Sequence, residues 1–117
     1  MATHKKLEVW NQSIDFVLKI YSVTNRFPKK EQFGLTAQIR RAAVSIPSNI
    51  AEGASRKGLK ENIQFLYFSL GSGSEIDTQL IISQKLKYAD CSELINEVNH
   101  IKARLIKYIN YLKNLNT

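Results

Sequence analysis

Cysteine occurs once in this chain, at Cys91, so no internal disulfide can form, which suits a reducing compartment. Only two prolines and five glycines interrupt the sequence, which leaves room for long regular elements. No apolar run approaches the roughly 20 residues needed to cross a bilayer. Met1 to Leu7 brings two lysines without the apolar core of a signal peptide. The expectation is a cytoplasmic protein with no membrane partner. Sustained alternation of apolar and polar residues is absent as well, which argues against strands. Acids are scarce: 10 Asp and Glu face 17 Lys and Arg, a formal charge of +7 that favours anionic partners such as nucleic acid.

What is present is helical periodicity. With 44% hydrophobic and 23% charged residues the chain is expected to be folded, as one domain over residues 1–117. The segment Gly34 to Arg56 organises the rest: Leu35, Ile39, Ala42, Ile46, Ile50 and Gly53 recur at the spacing of one helix face. Pro47 lies inside it, has no N–H for the carbonyl of Ala43, and disfavours helical geometry at Ile46. Because the apolar spacing continues in phase to Ile50, a kinked but continuous helix is favoured, with Ser45, Ser48 or Asn49 serving the freed carbonyl. The alternative is a break, with Ser48 capping a new helix.

Three more helices follow from the same period. The first runs from about Leu7 to Arg26 with two stripes, one through Leu7, Trp10, Ile14, Val17, Tyr21 and Thr24, the other through Phe16, Ile20, Val23 and Phe27. Two stripes imply two buried neighbours. The third, Leu59 to about Leu86, contains Gly71-Ser72-Gly73-Ser74, a string that elsewhere would read as a linker. Each glycine costs a helix about 1 kcal/mol against alanine. One helix is nonetheless favoured, with the small residues allowing close contact to the second helix. The fourth is announced by Asp90 and Glu93 at capping-box spacing and carries Leu94, Val98, Ile101, Leu105, Tyr108, Leu112 and Leu115. Short connections make the expected architecture an all-α, up-down-up-down antiparallel four-helix bundle with a Pro-kinked second helix.

The run G-L-T-A-Q-I-R-R-A-A-V-S-I-P-S-N-I-A-E-G, together with L-E-V-W at Leu7 to Trp10, F-P at Phe27 and Pro28, Glu75 and Leu80, resembles the four-helix-bundle proteins encoded within intervening sequences of bacterial 23S ribosomal RNA genes. That resemblance implies a four-helix bundle and a ring-like homo-oligomer, a pentamer. The family is also similar to a basic accessory protein of diversity-generating retroelements, which implies nucleic-acid binding by analogy. It brings no catalytic residues. Gly73 departs from the family, which has an apolar residue there.

Antiparallel topology sorts the charges by itself. One end gathers Lys5, Lys6, Arg56, Lys57, Lys60, Lys107 and Lys113 against Glu8, Glu52 and Glu61; at the other, Arg26, Lys29, Lys30, Lys85 and Lys87 nearly cancel Glu31, Asp90, Glu93 and Glu97. The first set is the candidate RNA- or DNA-binding rim, reading backbone and not sequence. The competing reading is a solvated face that aids solubility. Phe65, Leu66, Tyr67 and Phe68 cover most of a helix circumference and cannot all face one core, so Phe65, Tyr67 and Phe68 are candidate subunit-interface residues. Arg41, which shares a face with Ser45 and Glu52, is assigned to ion pairing or the same interface.

Catalytic and cofactor signatures are missing. Glu97-Val98-Asn99-His100 is a lone Glu-x-x-His where a di-metal bundle needs two. No Arg stands four to six residues before His100, as a helical nuclease would require. Cys91, at a helix start where a thiolate is favoured, is read as a packing residue. The glycines lack the strand and partner residues of a phosphate loop. The expectation is a non-enzyme without metal or cofactor.

Overall fold

The computed structural model describes residues 4–115, which leaves Met1 to Thr3 of the leading segment, and the last two residues of the expected domain, outside the described residues. Four helices follow one another: α1 Glu8–Thr24, α2 Leu35–Ala54, α3 Leu59–Lys85 and α4 Ser92–Leu115, with 3-10 turns at His4–Lys6 and Lys29–Glu31. There is no strand among the described residues. The helices form a rod of 49 × 20 × 19 Å.

Cross-helix contacts fix the topology. Lys19 reaches Glu97 while Arg104 reaches Glu8, so α1 and α4 run oppositely. Ser69 bonds to Ile46 while Gly53 abuts Asn62 and Phe65, which sets α2 against α3. Lys113 meets Tyr67 and Asn99 meets Asp77, which does the same for α3 and α4. The bundle is up-down-up-down. Its centre is built from Phe16, Ile20, Ile39, Ile46, Ile50, Leu66, Ile76, Leu80, Ile101 and Leu105. Burial on this scale supplies the main driving force, about 1.5–3 kcal/mol for each large side chain.

α2 passes through Pro47 without a break, so Ser48 starts no new helix. A bend of the axis there stays an expectation from sequence. The polar side chains serve carbonyls other than that of Ala43: Asn49 Nδ2 donates to Ser45 O at 2.9 Å, and the Ser69 hydroxyl donates to Ile46 O at 2.8 Å. Both bonds tie the proline turn, one of them across to α3. At Gly53 the two helices approach closely, because a Cβ there would stand 2.8 Å from Asn62 Oδ1, 2.9 Å from Phe65 Cβ and 3.0 Å from Asn62 O.

α3 runs unbroken through Gly71 to Ser74, as the period requires. The small residues divide their contacts between two neighbours. Ser72 Oγ bonds to Ser45 Oγ of α2 at 2.9 Å, but a Cβ on Gly73 would meet Lys102 of α4 at 2.9 Å, so the close contact expected with α2 is in that case with α4. Two stripes also shift. In α1 the inner face is Val9, Ser13, Phe16, Ile20 and Thr24, while Trp10, Ile14 and Val17 are half-buried. In α4 the inner stripe passes through Ile109, with Tyr108 half-buried and Leu115 exposed.

The end holding the α1–α2 and α3–α4 turns is tied by directed bonds. Arg40 donates to Thr24 Oγ1 at 2.9 Å and to Asn25 Oδ1 at 3.0 Å, and its guanidinium lies over the Tyr21 ring. The Tyr88 hydroxyl donates to Glu31 at 2.7 Å and its ring packs on Phe27. Asp90 accepts from the N–H and hydroxyl of Ser92, two residues on, and not from the Glu93 N–H that the expected box would use, and Gln84 accepts from the Cys91 N–H. Lys87 closes α3 with a left-handed backbone, φ 65°, and Tyr88 N–H returns to Ser83 O.

Candidate functional site

The opposite end collects the basic side chains. Lys5 and Lys6 lie in the 3-10 turn that packs against α1 and α2; Arg56 and Lys57 follow α2; Lys60 opens α3; Lys107 and Lys113 belong to the last turns of α4. All seven are exposed. They differ in how far their charge is offset. Arg56 pairs with Glu52 at 2.8 Å and Glu61 at 3.8 Å and covers the Phe65 ring, so it is largely engaged within the chain. Lys113 donates to the Tyr67 hydroxyl at 2.7 Å, which leaves its charge in place. Lys5, Lys6, Lys57, Lys60 and Lys107 take part in no ion pair among the described residues. Five lysines with uncompensated charge therefore share one end of a rod about 20 Å across.

The candidate interface residues separate into two kinds. Phe65 is half-buried between α2 and α3, under Arg56 and edge-to-face with Phe68, so it is used inside the bundle. Tyr67 and Phe68 remain 42% and 48% exposed, the surplus expected from four consecutive large residues. Arg41 is exposed and has no ion pair among the described residues, since Glu52, eleven residues on along the same helix, lies about 16 Å away at 1.5 Å per residue; its neighbour Arg40 makes the bonds. Sequence reasoning had not assembled a further apolar surface. Trp10, Ile14, Val17 and Leu18 of α1 face Val44, Pro47 and Ala51 of α2 across a groove of about 400 Å³. The signal was the Trp10, Ile14 and Val17 stripe of α1, which finds only half of its cover within the chain.

The residues weighed for chemistry take structural places. Cys91 is fully buried, and burial, then Asp90, raises its thiol above the ordinary range, so no thiolate is favoured. Glu97 is bound to Lys19 at 2.9 Å, whose ammonium is held above its usual range by that bond; His100 is exposed. Among the described residues no group of three or more His, Cys, Asp or Glu is placed to hold a metal ion. No helix among them is long and apolar enough to cross a membrane.

Fold and surface together define an antiparallel four-helix bundle with one cationic end and two uncovered apolar faces. Its family follows from comparison: the sequence model of the 23S rRNA-intervening sequence proteins matches residues 5–107, and the chain belongs to that family. Among solved structures, it is similar to a protein of unknown function from the S23 ribosomal protein family of Bacteroides thetaiotaomicron, with a TM-score of 0.80 at 23% identity over 86% of this chain and 97% of that one. At that identity the likeness concerns the fold. No curated protein matches the chain.

Proposed function

We propose that this protein is a non-enzymatic, cytoplasmic homo-oligomer that binds the backbone of RNA or DNA through its basic rim. The observation behind this reading is the set of lysines with unpaired charge on the elements that meet at one end, against only Glu8, Glu52 and Glu61; at the other end Arg26, Lys29, Lys30, Lys85 and Lys87 make no ion pair among the described residues either, but Glu31, Asp90, Glu93 and Glu97 nearly cancel their charge. Association is supported by the exposed Tyr67 and Phe68 and by the α1–α2 groove, apolar surfaces that a partner subunit would cover. A ring, a pentamer by family resemblance, would repeat the cationic end around one face, and repeated weak phosphate contacts gain from effective concentration.

A salt titration of labelled RNA and DNA, with the mass in solution measured alongside, tests both parts. Expected are an oligomeric mass and binding whose logarithm falls linearly with log salt. A second reading, an oligomer with protein partners only, draws on the same apolar faces. An intact oligomer that binds neither nucleic acid at low salt would leave that reading standing. A monomer at micromolar concentration would overturn the assembly.

A further inference from the structure

Resting on that reading, we infer that the rim takes unpaired nucleotides in preference to duplex, by stacking bases on Tyr111 and Tyr108 in the groove between the start of α1 and the end of α4. The groove holds about 420 Å³ and brings together residues from opposite ends of the chain. Leu7 lines its apolar side, the two tyrosines stand along α4, and Arg104 and Lys107 supply cations. The tyrosine rings lie near parallel, 15° apart with centroids at 6.3 Å, and Tyr111 is 58% exposed. An aromatic ring left that open among cations offers a π-face to a planar ligand and a nearby countercharge to its phosphate.

Duplex nucleic acid cannot use such a ring, because its base faces are already stacked on one another. Unpaired bases can, whatever their identity, since each has a π-face. Charge complementarity points the same way. Glu8 is the one acid of the groove, and it lies 3.7 Å from Arg104, so its charge is offset and Lys107 remains for phosphate.

Anisotropy titrations with a labelled 20-nucleotide homopolymer and a duplex of equal length, at one low salt concentration, test the inference. Tyr111→Ala is chosen because the side chain is exposed and its loss leaves the core intact. Expected is tighter binding of the single strand by wild type, a loss of about 5- to 100-fold for the single strand in Tyr111→Ala, unchanged duplex affinity, and recovery in Tyr111→Phe. Equal affinities for strand and duplex, or a Tyr111→Ala variant that keeps full single-strand affinity, overturns the stacking site while the basic rim survives. Binding of neither ligand overturns the rim and, with it, this inference.

Discussion

The two ends of the bundle are made from similar residues and differ in how far acids and internal bonds offset their cations. At the end holding the α1–α2 and α3–α4 turns, Arg40 is fixed to three neighbours, Glu31 is held by Tyr88 and Asp90 by Ser92, while Arg26, Lys29, Lys30, Lys85 and Lys87 make no ion pair among the described residues but share that end with Glu31, Asp90, Glu93 and Glu97. At the end holding the α2–α3 turn, Lys5, Lys6, Lys57, Lys60 and Lys107 make no ion pair, and Tyr111 lies open beside them. Charge spent on internal bonds stabilises the chain and is lost to ligands; charge left in water costs little to keep and stays available. The difference teaches that net charge alone is a poor guide to a binding surface. Its distribution along the bundle, counted against the acids beside it, carries the information.

That contrast makes a double dissociation. The largest effect is expected from Lys57→Glu, Lys60→Glu and Lys107→Glu combined: nucleic-acid affinity falls by roughly two orders of magnitude, and the salt dependence becomes shallower by about 2 on a log–log plot. Unfolding free energy stays within about 0.5 kcal/mol per site, since these side chains are exposed and unpaired. Arg40→Ala should do the reverse. Loss of its hydrogen bonds and of the contact over Tyr21 lowers stability by about 1–3 kcal/mol in urea titrations, with affinity unchanged. An Arg40→Ala variant that binds less well while folding normally would erase the distinction between the ends.

A smaller effect lies in pH. The Tyr88 hydroxyl, then the Leu35 N–H, hold the Glu31 carboxyl below its ordinary range, and the N–H and hydroxyl of Ser92 do the same for Asp90. Folded values below unfolded ones mean that both carboxylates add stability above the ordinary carboxylate range and lose it as pH falls through the folded values. Urea midpoints followed from about pH 6 to about pH 3 should decline, and Glu31→Gln with Asp90→Asn should flatten that decline. An acid limb of unchanged steepness would show that these two turns are not where protons act.

Much of this was legible in the sequence, because a helical period and antiparallel topology follow from spacing and loop length. α3 was readable through Gly71 to Ser74, since two glycines cost about 2 kcal/mol against a helix packed on two sides. The cationic end was readable because alternating helix direction brings the chain's two extremities beside the α2–α3 turn. Three things were not. The inner stripe of α1 contains Ser13, whose hydroxyl donates to Trp10 O, so a buried serine hid the true face behind the more apolar Trp10 stripe. In α4 a straight helix drifts by about 20° per heptad from a 3.5-residue repeat, and over its length the stripe slips from Tyr108 to Ile109. The Tyr111 groove joins residues about a hundred positions apart, which no local pattern connects.

The smallest expected effect returns to the end where acids nearly balance the cations. Lys87 sits at φ 65° where α3 closes, in the left-handed region that a side chain with a Cβ occupies at a cost of roughly 1–2 kcal/mol. The closing bonds, Lys87 N–H to Gln84 O and Tyr88 N–H to Ser83 O, involve backbone alone and would survive a glycine. Lys87→Gly should therefore raise stability by about 0.5–1 kcal/mol in spite of the greater freedom it gives the unfolded chain. It also deletes one positive charge, and from the end that is not expected to bind. Stability rising while affinity for single strands holds would show that position within the bundle, not total charge, governs the interaction. A loss of affinity equal to that from removing Lys107 would show the reverse, that the chain attracts polyanions through its overall field.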